Sequence, residues 1–308
     1  MKALELSRLY YEQHCAPLLE AGFFRVADRI AVGLVGDGSE CFGFDDEISR
    51  DHDWGAALCL WLNQDDYLKY ANELSVAINA LPKTIRNYPV REETDLARGR
   101  SGILEIGSFY YRYLGYRDAP KTNGEWLKIP EERLAVATNG EVFVDPYGEF
   151  SRIREELLNF YPEDVRLKKL AARCAIMAQA GQYNFPRCIK RKEYVAANMA
   201  LTEFLKAACS AFFLIKKKYK PYYKWMHKSL GLLEDIGKYA SSLLEQIVIN
   251  NVDEKNIALI EECSSFVVKL LLEDNLSNST DDFLLEHAKS IQSNIKDNMI
   301  REIDVFVG

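Results

Sequence analysis

"LVGDGSECFGFDDEISRDHDWG", Leu34 to Gly55, is the stretch on which the fold turns. It continues the short apolar run "RIAVGLVG" (Arg29–Gly36), and seven acids then fall within seventeen residues. Carboxylates at that density repel one another and hold on to protons unless positive charge neutralises them. The stretch is therefore either a solvated acidic loop or a metal site.

The known glycine-turn motifs fail here. No Gly-Lys-Ser/Thr follows the glycines, as a Walker phosphate loop requires. Gly36-Asp37-Gly38 leads on to Gly43, which misplaces the third glycine of a dinucleotide fingerprint. Ser39 is not in a G-x-S-x-G elbow either. What remains is Gly38-Ser39, eleven residues, then Asp51-His52-Asp53. A strand beginning near Arg50 would project Asp51 and Asp53 from one face and turn His52 away. A divalent ion would relieve their repulsion, and Mg²⁺ takes such oxygen ligands while keeping positions for phosphates. Gly38 and Ser39 offer backbone N–H groups and a hydroxyl to terminal phosphates. Asp45, Asp46 and Glu47 are expected to shape the turn or pair with Arg50.

Taken outward, residues 2–21 read as a helix, 65–81 as an amphipathic helix capped by Asp65 or Asp66, and "SGILEIGSFYYRYLG" (101–115) as a strand turning into a helix. Beyond about Asp145 no strand signal recurs. Long helical patterns follow, including 223–250, 253–273 and 281–304, the last with Phe283, His287, Ile291, Ile295 and Met299 on one face. The expectation is an α+β fold: residues 1–145 a mixed sheet with helices, residues 146–308 a helical bundle.

With 48% hydrophobic and 28% charged residues the composition is that of a globular chain, and a formal charge of −7 disfavours general nucleic-acid affinity. No apolar run approaches the ~20 residues that span a bilayer, so no membrane association is expected. Seven scattered cysteines with no CxxC pair fit reduced thiols in a cytoplasm. "KKKYKPYYKW" (216–225) interleaves five lysines with aromatic residues. Three readings stand: a single-stranded RNA surface, a lysine-rich helix end, or a turn that places Lys224 on nucleotide phosphates.

Gly-Ser followed by Asp-x-Asp resembles the signature of the polymerase-β-type nucleotidyltransferase superfamily. "GSECFGFDDEISRDHDW", "NGEVFVDPYGEF" and "KKYKPYYKW" are similar to a bacterial domain-of-unknown-function branch related to the kanamycin-type aminoglycoside nucleotidyltransferases, over roughly residues 20–230. The resemblance implies transfer of a nucleoside monophosphate, AMP from ATP, to a hydroxyl acceptor with release of pyrophosphate. It implies Mg²⁺ or Mn²⁺ on Asp51 and Asp53, phosphates on Gly38, Ser39, Arg50 and Lys224, and a third carboxylate from a later strand. Glu105 in "GILEIG" is the first choice for that carboxylate, as ligand or base, and Asp145 in "EVFVDP" the second. Relatives that share a site across a dimer also imply a homodimer. Phe42 departs from the pattern, since active relatives often carry a basic residue there, and Arg50 is the substitute. That departure motivates the rival reading, a catalytically inactive nucleotide- or partner-binding protein on the same fold.

Overall fold

The computed structural model describes residues 1–50, 54–91, 99–250 and 252–308. The chain divides into two compact units, residues 1–120 with 133–159, and residues 121–132 with 160–308. The expected boundary at 145/146 is thus drawn differently. The helix after Asp145 stays with the sheet, and a short helix from the loop before it goes to the second unit.

In the first unit, α1 (Ala3–Tyr10) runs through a π-helical turn into α2 (Ala16–Gly22), so the expected helix 2–21 is present with one widened turn. β1 (Ala31–Leu34) and β2 (Cys59–Leu62) are antiparallel, Ala31 opposite Trp61 and Gly33 opposite Cys59. α3 (Gln64–Asn79) follows, then the two-residue strands β3 (Thr84–Ile85) and β4 (Tyr88–Pro89) of a small hairpin. β5 (Gly102–Glu105) lies parallel to β2 and leads directly into α4 (Ile106–Leu114). α5 (Asn123–Lys128) belongs to the second unit, and α6 (Glu131–Thr138) spans the division. β6 (Glu141–Val144) returns antiparallel to β1, and α7 (Glu149–Leu158) closes the unit. The sheet order is β5-β2-β1-β6.

Both faces of this sheet are covered, which is why β2 reads as the unbroken apolar run "CLWL" rather than as an alternation. Leu60 and Leu62 pack with Leu6, Tyr10, Val32 and Leu74 on one face. Between them Trp61 points the other way and stacks on Phe150 of α7 at 4.0 Å, with Phe109 of α4 edge-on at 5.5 Å. Gly33 is required by the sheet itself: a Cβ there would stand 2.3 Å from the Glu141 carbonyl, where the β1–β6 register shifts.

Two local readings are corrected. The second strand begins at Cys59, not near Arg50; residues Ile48–Arg50 form a 3-10 turn. The cap of α3 is Asn63, whose side chain accepts the Asp66 N–H. Asp66 instead makes a two-pronged ion pair with Arg29, at 2.7 and 2.9 Å, and that guanidinium holds its carboxyl below the usual range.

The second unit is built around α8 (Glu163–Met177), which is buried almost all round. α9 (Phe185–Lys190) and α10 (Tyr194–Ile215) follow. α10 is long and apolar enough, by length and composition, to cross a membrane, yet 61% of its most apolar window is buried inside the fold. The expected 223–250 helix is broken into α11 (Tyr223–Leu230) and α12 (Gly237–Ile249), with Asp235 at φ 64° between them. α13 (Lys255–Glu273) lies within the expected 253–273, and Asp253 accepts the Lys255 N–H at 2.9 Å. The expected 281–304 helix divides into α14 (Leu284–Ser293) and α15 (Asn298–Arg301). The reason is a competing pair of caps: Asp164 accepts the Lys296 and Asp297 N–H groups, and Asp297 caps α15. His287 and Ile291 keep the buried face, but Met299 is 81% exposed.

Lys168 of α8 has no solvent exposure, and its ammonium donates to Gln292 Oε1 and to the Ile303 and Asp304 carbonyls at 2.7–3.0 Å. Burial pulls its pKa from 10.5 to about 8. Between those values the unfolded chain holds a proton the folded one has lost, so this site's contribution to stability rises with pH. Compared with Lys168→Met, the wild type should therefore gain stability from about pH 8 to 10, by at most about 1.4 kcal/mol per unit. Urea unfolding of both proteins across that range measures the gap; a gap independent of pH refutes it.

Candidate functional site

The chain leaves β1 through Val35 into a turn that only glycine makes easily. Gly36 and Gly38 have φ of 131° and 135°, and the Asn139 amide clasps Gly36 with two 2.9 Å hydrogen bonds. Ser39 stands at the head of a 3-10 turn, Glu40–Phe42, without a side-chain capping bond. Its carbonyl accepts the Phe44 N–H at 2.8 Å.

The positive charge that the acids need comes from arginines that sequence reasoning left unused. The Asp37 carboxylate accepts from Arg112 at 3.2 Å and from the Tyr113 hydroxyl at 3.0 Å, both on α4. Burial, reinforced by the Asp37 charge, pushes the Tyr113 hydroxyl up, so it remains a donor. Arg100, just before β5, donates to the Asp37 carbonyl at 2.9 Å. Arg91, whose N–H bonds the Ala56 carbonyl at 2.8 Å, sends its guanidinium to Glu40 at 2.6 Å. That ion pair is buried on both sides, with side-chain exposures of 2% for Arg91 and 8% for Glu40, and Arg100 lies 4.0 Å from the same carboxylate oxygen. Arg91 Nη2 and Arg100 Nε are buried nitrogens with no hydrogen-bond partner. The usable signal was the arginine-rich run around "VREETDLARGR" (90–100), which lies far from the acids in sequence.

Asp45 and Asp46 serve the fold. Asp45, 2% exposed, accepts the first N–H of α1 from Ala3 at 2.9 Å and the Trp54 indole at 3.0 Å, with the Lys2 ammonium 3.6 Å away. Asp46 closes a turn onto Ser49 at 3.0 Å. Arg50 pairs with neither acid in these contacts; its guanidinium lies over the Trp54 ring at 4.8 Å and near Tyr88 at 5.9 Å. Phe42 stacks nearly parallel to Phe44.

Asp51, His52 and Asp53 lie outside the described residues. Glu105 has a different duty from the one expected. Its two oxygens accept the Gly107 and Ser108 N–H groups at 2.8 and 2.6 Å, capping α4, and Arg117 pairs with it at 2.8 Å. Burial alone would raise this carboxyl, but the hydrogen bonds from Ser108 and Gly107 and the Arg117 charge outweigh it and hold it below its usual value. Glu105 stands opposite Leu62, at the end of the sheet where β1 enters, while the glycine turn lies where β1 leaves. The structure does not bring them together. Asp145 is likewise a cap, accepting the Gly148 and Ser151 N–H groups at 3.0 and 2.7 Å. Among the described residues no three His, Cys, Asp or Glu side chains form a group that could hold a metal ion.

Lys224 belongs to the second unit, and its ammonium lies over the adjacent Trp225 ring at 5.0 Å. The lysine–tyrosine turn around it is largely committed to packing. Tyr219 is enclosed by Phe160 and Tyr161, at 4.8 and 5.2 Å, and Lys220 pairs with Glu132 at 2.9 Å.

Residues 126–226 match the family described as "Domain of unknown function (DUF4037)", a stretch with parts in both compact units. No curated protein matches the chain. Among solved structures it is similar to a nucleotidyltransferase-like protein from Exiguobacterium sibiricum 255-15, at 12% identity and a TM-score of 0.37, over 85% of this chain and 76% of that one.

Glu105→Gln should cost about 1 kcal/mol at neutral pH, the usual worth of a helix cap. The Glu105 carboxyl titrates lower in the folded than in the unfolded chain, so its contribution is present above the unfolded value of about 4.5 and fades as pH falls through the folded one. Thermal unfolding of the two proteins should therefore converge as pH falls below 4.5 and through the lowered folded-state value. A gap that persists there rules out the capping account.

Proposed function

We propose that this chain is a nucleotidyltransferase that moves a nucleoside monophosphate, AMP from ATP, onto a hydroxyl acceptor. The acceptor oxygen bonds to the α-phosphorus, the bond from that phosphorus to the β-phosphate oxygen breaks, pyrophosphate leaves, and the hydroxyl proton passes to a base or to water. One observation supports this reading most. A glycine turn at the exit of a buried strand is ringed by arginines, and two of their buried nitrogens have no acceptor among the described residues. Guanidinium groups so placed suit the oxygens of a phosphate chain, and bare glycine backbone allows such a chain to approach closely.

In this reading the Gly38 and Ser39 backbone and the Ser39 hydroxyl orient the terminal phosphates, with Arg91 and Arg100 neutralising them. Arg50 is a further phosphate contact. The metal ligands would be Asp51 and Asp53. Bound Mg²⁺ or Mn²⁺ would supply charge neutralisation at the attacking oxygen and at the departing pyrophosphate. The described residues provide no third carboxylate at the glycine turn, since Glu105 and Asp145 are spent on helix caps.

The rival reading, a nucleotide- or partner-binding protein without turnover, is favoured by one feature: Phe42 stacks on Phe44 where active relatives often carry a cation. Incubation with each NTP and Mg²⁺ over pooled hydroxyl acceptors, read as pyrophosphate release, separates the two. Turnover that falls about 10²-fold or more in Asp53→Ala is the expected result. Nucleotide binding without release in any pool supports the rival, and release that survives the substitution removes Asp53 from the metal site.

A further inference from the structure

We propose that Glu40 is a built-in substitute for the ligand's phosphate, which a triphosphate must displace to bind; this rests on the nucleotidyltransferase reading above. The carboxylate lies directly on Gly38. A Cβ added there would stand 2.3 Å from Glu40 Oε1 and 2.5 Å from Cδ and Oε2. The side chain thus covers the bare backbone that would receive a phosphate group, and it is only 6% exposed as a residue. It also holds the cations that such a group would need, Arg91 at 2.6 Å and Arg100 at 4.0 Å.

One carboxylate is a poor match for two guanidinium groups. It carries a single charge against two, and it leaves Arg91 Nη2 and Arg100 Nε buried without acceptors. Buried donors in that state are costly, and they mark a place built for more acceptor oxygens than the described residues supply. Asp37 does not make up the difference, because its carboxylate is turned to Arg112 and Tyr113. A phosphate chain brings several oxygens and more than one charge, and it would satisfy both arginines at once. Glu40 then acts as a competitor tethered to the site. It pairs with Arg91 and stands beside Arg100 in the free protein, and swings off Gly38 when the ligand arrives. A weakly bound single phosphate would not dislodge it, so the device selects for polyphosphate.

The test is titration calorimetry on the full chain without metal, using tripolyphosphate, ATP, inorganic phosphate and adenosine as probes. Glu40→Gln should bind tripolyphosphate and ATP at least tenfold more tightly than wild type, with no gain for adenosine. The double variant Glu40→Gln/Arg100→Gln should lose that gain. Glu40→Asp retracts the carboxylate by one methylene while keeping its charge, so it should show a smaller gain and covers the case in which the glutamine variant fails to fold. Folded variants that bind tripolyphosphate no better than wild type overturn the inference. A wild type that releases pyrophosphate alongside such variants overturns this inference alone and leaves the transfer reaction standing. Tight tripolyphosphate binding by Glu40→Gln, with no pyrophosphate release from any acceptor, supports the displacement and counts against turnover.

Discussion

The ion pair between Glu40 and Arg91 is the constraint around which the first unit is arranged. Ionised groups buried this deeply lose hydration worth several kcal/mol each, and mutual attraction returns that loss only when the geometry is close. At 2.6 Å it is close, and holding it there ties three separated segments together. Glu40 is fixed by the 3-10 turn after β1, while Arg91 is fixed by its N–H bond to Ala56 ahead of β2. Arg100 joins from the start of β5, through the Asp37 carbonyl. Removing Glu40 would leave the Arg91 charge buried without its carboxylate, and removing Arg91 would leave Glu40 with only the more distant Arg100, so the turn, the entry to β2 and the entry to β5 are coupled.

The same arrangement explains what could be read in the sequence. β1 and the β5-to-α4 transition were legible because each is a local pattern: a bounded apolar run, and an apolar run passing into helical spacing. The glycine turn was legible because positive φ leaves a residue-type mark. The neutralisation of the acids was not. Arg91, Arg100 and Arg112 stand dozens of residues away, and nothing local says which arginine meets which acid. The strand placed at Arg50 failed for a related reason. Alternating residues suggested extension, but Arg50 finds the Trp54 ring, and Asp46 closes on Ser49, before the chain reaches β2.

In the second unit the helices were legible and their interruptions were not. Periodicity runs on through 281–304 because apolar spacing is insensitive to a cap. The break is decided by carboxylates: Asp164, more than a hundred residues earlier, takes two N–H groups just where Asp297 begins a new helix. The lysine–tyrosine turn shows the converse. Its composition suits a surface that stacks bases, yet Tyr219 is used as core against Phe160 and Tyr161. Composition does not distinguish an aromatic residue held for packing from one presented for binding.

Hydrogen-bond accounting does make that distinction for the carboxylates. Glu105 and Asp145 each accept N–H groups of the chain through both oxygens, as scaffold groups should, and Asp45 takes two donors on one oxygen while its other, Oδ1, is buried without a hydrogen bond. Around Glu40 the count fails in one direction only, with an excess of buried guanidinium donors and a shortage of acceptors. Folding alone gives no reason to keep that excess, since Arg91 on its own already neutralises Glu40. An excess of donors beside glycine backbone with positive φ is what an anion site looks like before its ligand arrives. Among the described carboxylates of the acidic stretch, Asp45 and Asp46 serve the fold, and Glu40 is the one that the proposed displacement singles out.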